Sequence, residues 1–230
     1  MNKLFTVIAV IVAITLSGCS STSVKESPLD GQWQGKGKSF SNKKFTKPMK
    51  WAAGQYVVTG TIDDGEKVSI TKFLVVGKES GGWIFETITT SKKKEVTGMQ
   101  MLIKGFDQAV AKNDASQISI VWIKMLQKDG KVDKIEGDGI MLYNMMLKST
   151  WNNLIIAGEN LTPGGAVAVP AGTFSGTTKI HTKVKVVFST IEGDSYMHPE
   201  VPVNGVVKSV SGDTVTELID FGFNGKALIR

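Results

Sequence analysis

From Trp51 onward, apolar and polar residues alternate in short runs with a period of two, the pattern of half-buried β-strands. Gln55 to Ile62 and Lys67 to Val76 are rich in Val, Ile and Thr, and Asp64-Gly65 between them is a strong hairpin signal. Gly81-Gly82 leads into Trp83 to Thr90, and Lys92-Lys93-Lys94 turns the chain into Val96 to Lys104. Gln117 to Gln127 is the most apolar strand, followed by Asp129-Gly130 and a short partner, Val132 to Glu136. Further strands are predicted at Leu154 to Ala157, Gly172 to Ile180, Lys183 to Ile191, Gly205 to Val210, Thr214 to Phe221 and Lys226 to Ile229. Gly212-Asp213 and Asn224-Gly225 supply the last turns.

Two segments break this rhythm. Phe106 to Lys112 predicts one or two helical turns. Ile140 to Thr150 places Met141, Met145 and Lys148 on one helical face, with Leu142, Met146 and Ser149 beside them. About twelve short strands with Gly-centred turns make a mainly β protein. The predicted fold is a single antiparallel, strongly curved sheet, a half-open or closed barrel, with one or two short helices. A barrel spanning a membrane is set aside. Lys72, Lys124, Lys183 and Lys185 fall within strands, and each charge on a lipid face would cost about 2–4 kcal/mol at mid-depth.

The one long apolar run lies elsewhere. Lys3 precedes thirteen uncharged residues, Leu4 to Leu16, and small residues Ser17 and Gly18 lead to Cys19. A charged start, a short apolar stretch and a small-residue cleavage site describe a secretory signal peptide, and the run is short for a membrane span. Leu16-Ser17-Gly18-Cys19 resembles the lipobox of bacterial lipoproteins. The resemblance implies that Cys19 is lipidated and becomes the first mature residue, anchoring the chain in a membrane. A thiolate is the nucleophile such a modification needs, and Cys19 is the only cysteine in 230 residues. Ser20, where inner-membrane lipoproteins often carry Asp, implies the outer membrane, with the domain in the periplasm.

The organisation that follows is residues 1–18 as signal, 19–30 as lipidated Cys and tether, and 31–230 as one β-rich periplasmic domain. Ser20 to Asp30 is Ser-rich, polar and Pro-interrupted, and extends to at most ~36 Å. The net charge of +6 is carried almost wholly by Lys, Arg230 being the sole Arg. Without the Arg fork that reads bases and phosphates, nucleic acid is an unsuitable partner. Lys36, Lys38, Lys43 and Lys44, close to the anchor, are the candidates for touching a membrane surface.

No catalytic constellation stands out, and no cofactor or metal is expected. Gly172-Thr173-Phe174-Ser175-Gly176 lacks the spacing of a nucleophile elbow. A hydrolase would require Asp194, Ser195 and His198 to converge, yet Gly193 to Pro199 reads as a polar loop. Metal binding has only His181 and His198 to draw on, and the acidic turns lack the ligand spacing of a calcium loop. Trp83, Phe85, Met101, Trp122, Met125, Met141 and Met145, with Met99 and Met146, form either an ordinary core or the lining of a cavity for a lipid or other apolar ligand. A scaffold binding another envelope protein through a sheet edge or the Lys-rich face is the alternative.

A second resemblance covers most of the remaining chain. Val169-Pro170-Ala171-Gly172-Thr173-Phe174, Pro202-Val203-Asn204-Gly205-Val206-Val207-Lys208-Ser209, Glu217-Leu218 and Asp220-Phe221-Gly222 look like the C-terminal part of an uncharacterised family of exported envelope β-proteins, a domain of unknown function. Trp51 to Val58 and Val76-Gly77-Lys78-Glu79 look similar to its first strands. Tyr196-Met197-His198-Pro199 stands where that family carries an aromatic strand. The resemblance implies a curved antiparallel sheet and an envelope location, and no activity.

Overall fold

The computed structural model describes residues 31, 33, 37–47, 49–112, 114–153, 161–186 and 189–230. Twelve strands form one sheet: β1 (Ser39–Phe40), β2 (Tyr56–Asp63), β3 (Glu66–Glu79), β4 (Gly82–Ser91), β5 (Val96–Lys104), β6 (Ser119–Leu126), β7 (Val132–Glu136), β8 (Leu161–Val169), β9 (Gly172–Val186), β10 (Ser189–Met197), β11 (Val206–Ser211) and β12 (Thr214–Gly222). The strand order is β1-β9-β10-β11-β12-β2-β3-β4-β5-β6-β7, with β8 on the other edge of β9. Every pairing is antiparallel except the short parallel contact of β1 with β9. The sheet curves without closing: β7 and β8 end it, and no pairing between them is made among the described residues. Helix α1 (Phe106–Lys112) follows β5, and α2 (Met141–Asn153) follows a 3-10 turn at Gly137–Ile140.

The hairpins form where the sequence has residues that tolerate positive φ. Asp64 and Gly65 take φ of 49° and 79°, and this pair suits the twist of β2 and β3. Alternation then sorts the side chains. Val57, Phe73, Val75, Phe85, Met101 and Ile123 face the concave side and join Phe106, Phe174, Val207 and Leu218 in the main core. Beyond Phe73 the same side becomes hydroxylic, with Thr61, Ser69, Thr71 and Thr87 buried.

The convex side is covered in three places. Trp33 packs on Ile70 and Ile219. Phe45 packs with Ile180 and Met197. The C-terminal tail crosses Glu86 and Gln100.

Three expectations are corrected, and one strand is new. The break expected at His181-Thr182 is absent, and β9 runs unbroken for fifteen residues because β10 pairs with it from Thr178 to Val186. Gly193 to Met197 is not a loop but the end of β10, where Asp194 and Tyr196 meet His181 and Lys179 across the ladder. Lys226 to Ile229 forms no strand, because the N–H groups of Leu228 and Ile229 go to a side chain instead of a neighbouring backbone. Strand β8 was not foreseen. Pro163, Gly164 and Gly165 disfavour a strand interior, but they lie on a sheet edge where register shifts accommodate them. The strand expected at Leu154 to Ala157 lies outside the described residues.

Candidate functional site

The residues expected to line an apolar cavity are distributed over three surfaces. Phe85 and Met101 are buried in the main core, with Trp83, Met99 and Met125 packed against it. Trp122 precedes the core residue Ile123 and so lies on the other face of β6, with Lys124 Nζ 5.5 Å from its ring. Met141 and Met145 belong to α2, where they are 65% and 55% exposed.

Trp51 and Phe106, which alternation alone did not single out, centre the core under Trp83 and Phe85. The Trp51 ring lies 4.5 Å from Phe106, 4.8 Å from Phe85 and 5.7 Å from Trp83, centroid to centroid. Its indole N–H donates to the Val203 carbonyl at 3.1 Å. These rings fill the space between the sheet and α1.

Helix α2 is held to the sheet by one side only. Asn144 Oδ1 accepts from the Ile120 N–H at 2.6 Å, and its Nδ2 donates to the Ile120 carbonyl at 3.0 Å. The amide therefore takes the place of a neighbouring strand at the start of β6. Leu147 is buried and Tyr143 packs against the core beside it. Met141, Leu142, Met145 and Met146 lie on the opposite arc, and all four are exposed.

A groove of about 520 Å³ lies elsewhere, where β8 and β9 meet the chain before Phe45. Asn42, Lys44, Leu161, Pro163 and Thr177 contribute to its walls. Of the lysines expected at a membrane surface, Lys38, Lys43 and Lys44 are exposed and Lys36 lies outside the described residues, as does Cys19. Lys43 pairs with Glu200 at 2.6 Å and holds that carboxyl below its usual range.

Asp194, Ser195 and His198 do not converge. Asp194 faces His181 across the ladder, while Ser195 points to the other side of β10. His198 is fully buried: Nε2 donates to the Ser41 carbonyl at 3.0 Å, and Nδ1 accepts from the Glu200 N–H at 3.3 Å. Phe174 meets it edge-on at 5.3 Å. His198 thus fastens the segment that carries β1. His181 is bracketed by carboxylates, with Nδ1 3.0 Å from Asp194 and Nε2 3.0 Å from Glu192. Asp194 and then Glu192 raise the imidazole pKa above 6.5. Lys179 and His181 lower that of Asp194, and Lys183 and His181 that of Glu192. No group of three or more His, Cys, Asp and Glu side chains suited to a metal occurs among the described residues. None of their helices is long and apolar enough to cross a membrane.

No protein-family model and no curated protein matches the sequence. Among solved structures, an exported protein of YmcC-like fold from Bacteroides fragilis is 12% identical, with 80% of this chain and 98% of that one covered and a TM-score of 0.34. A lipoprotein from Parabacteroides distasonis is 14% identical over 74% of this chain and 96% of its own, with a TM-score of 0.35. A hypothetical protein from Chlamydia trachomatis is 10% identical over 76% and 90%, with a TM-score of 0.42. Superpositions this loose carry neither fold nor function across.

Proposed function

We propose that this chain is a lipoprotein of the bacterial cell envelope. It is anchored through Cys19, with its β-domain in the periplasm at the outer membrane, and it acts as a non-catalytic binding or structural module. The observation that carries the reading is the position of the sole cysteine, directly after the only long apolar run and its small-residue end. Acyl chains attached there would hold the domain stably once two or more are present, at ~0.8 kcal/mol for each buried methylene. The aromatic packing around Trp51 favours a filled core, so binding falls to the outer surfaces of the domain.

Intact mass of the protein extracted from envelopes tests the anchor. The expected chain starts at Cys19 and carries the added mass of a diacylglyceryl group and an acyl chain. Cys19→Ser should abolish that mass and release the protein from the membrane fraction. An unmodified Cys19 in the mature protein overturns the reading.

One observation favours the scaffold form of this module. Strand β8 pairs only with β9 among the described residues, and Leu161 to Val169 carries no charge. The other end strand, β7, presents Asp133, Lys134 and Glu136 along five residues. Charges discourage strand addition, and an uncharged edge permits it. Photo-crosslinking from Ala166 in cells should therefore recover a discrete envelope protein, and from Asp133 none.

A further inference from the structure

We infer that the exposed arc of α2 is a second membrane contact, with Met141, Leu142, Met145 and Met146 seated among the lipid headgroups. The inference rests on the anchored reading above and adds the surface by which the domain touches the bilayer.

These four side chains are 65%, 58%, 55% and 46% exposed. At 100° per residue they occupy one continuous arc of the helix. Tyr143, Leu147 and Asn144 follow round the remaining side, and the two hydrogen bonds of Asn144 to Ile120 fix it against β6. The Met arc cannot turn inward without breaking both bonds. It therefore presents unbranched, flexible apolar groups to the surroundings.

Charge decides between occupants. Lys148 lies two turns on from Met141, on the same side of the helix. Lys104 pairs across the ladder with Ser119, one residue from the Asn144 clamp at Ile120. Lys112 ends α1, next to the turn Ala115–Gln117 that packs on α2. Lys104 and Lys148 form no ion pair among the described residues, whereas Lys112 lies near enough to Asp114 to help lower that carboxyl's pKa. On the acidic side, Asp114 is held by Ser116, and Asp138 lies one turn before Met141. Lys104 and Lys112 lie towards the docked side of α2, and Lys148 alone borders the apolar arc, as a cation that complements an anionic bilayer surface. A tether of at most ~36 Å would also keep the bilayer permanently within reach.

The test uses the full chain. Once Cys19 carries lipid, Leu142→Cys introduces its only free thiol, which takes a nitroxide label. The labelled protein is reconstituted in vesicles of phosphatidylethanolamine and phosphatidylglycerol, and collision with oxygen is compared with collision with an aqueous nickel chelate. Val96→Cys, at the far end of β5 from Lys104, is the reference. The expected oxygen-to-nickel ratio is several-fold higher at position 142 than at 96, and Lys148→Glu lowers it. Equal ratios in a vesicle-bound, lipidated protein overturn this inference alone. Dipolar broadening between labels at position 142 also overturns it, in favour of a second copy. A chain with unmodified Cys19 that does not stay with vesicles overturns both readings.

Discussion

The carboxylate of Glu86 accepts a hydrogen bond from the backbone N–H of Ile229 at 2.8 Å, at a site where Glu86 is 1% exposed. The Leu228 N–H adds a second bond at 2.9 Å, and Gln100 Nε2 bridges Glu86 to the Ile229 carbonyl. One carboxylate thus does for the tail what a neighbouring strand would do, and Ile229 is buried as a result. Glu86→Ala should cost about 3 kcal/mol, since charge-assisted bonds contribute about 1.5–3 kcal/mol and two backbone donors lose their partner. Urea unfolding measures the loss. Carboxypeptidase should also release the last residues far faster from the variant than from the wild type. Equal release would mean that the tail is held by something other than Glu86.

Where backbone pairing decides the structure, the sequence was legible. Val96–Lys104 and Val132–Glu136 were read to the residue, because alternation and their bounding turns agree. Where a side chain or an edge decides, it was not. The tail read as a strand because Ala227, Leu228 and Ile229 suit one, and nothing local reveals a carboxylate more than a hundred residues away. Strand β8 was hidden by Pro163 and two glycines that only an edge tolerates. For α2, periodicity located the helix but not which arc faces in. The docking arc contains the polar Asn144 and the exposed arc is apolar, the reverse of the usual preference.

His198 is the second clasp. It joins Ser41 to the Phe40–Phe174 stack, whose rings lie 4.2 Å apart and nearly parallel, and β1 depends on that stack. His198→Ala leaves a cavity and an unpaired carbonyl and should cost about 2–4 kcal/mol. His198→Phe should restore packing without the bond to Ser41. Hydrogen exchange separates the two effects. The Thr173 amide, bonded to the Lys38 carbonyl at 2.8 Å, should lose protection in both variants if the Ser41 bond holds β1 in place. Unchanged protection in His198→Phe would assign the clasp to ring packing alone.

The bracket around His181 makes a pH dependence of definite sign. Only the protonated ring donates to Asp194 and Glu192 together, and these carboxylates raise its pKa in the folded state. A raised folded pKa contributes stability that is fully present below the unfolded value of 6.5 and is lost as pH rises through the folded value. The stability difference between wild type and His181→Gln should therefore be largest in mildly acidic buffer and vanish in alkaline buffer. Because the site is exposed and screened, the effect should shrink further in high salt. An NMR titration of the ring should give a midpoint above 6.5, brought down by Asp194→Asn. A midpoint at or below 6.5 would show that the bracket is not formed in solution.

Gly60 is reserved for a ring and not for a turn. A Cβ there would lie 2.3 Å from the Trp33 ring, which covers the convex face beside Ile70 and Ile219. Gly60→Ala should therefore push Trp33 off the sheet and cost about 1–3 kcal/mol, as overpacking does. Once Trp33 is replaced by Ala, the clash has no partner. Gly60→Ala in that background should then be neutral or stabilising by up to ~1 kcal/mol, because Gly in a strand loses more freedom on folding. The two substitutions must be strongly non-additive, and urea denaturation of the four proteins of the cycle measures the coupling. Additive costs would mean that Trp33 does not rest on Gly60 in solution.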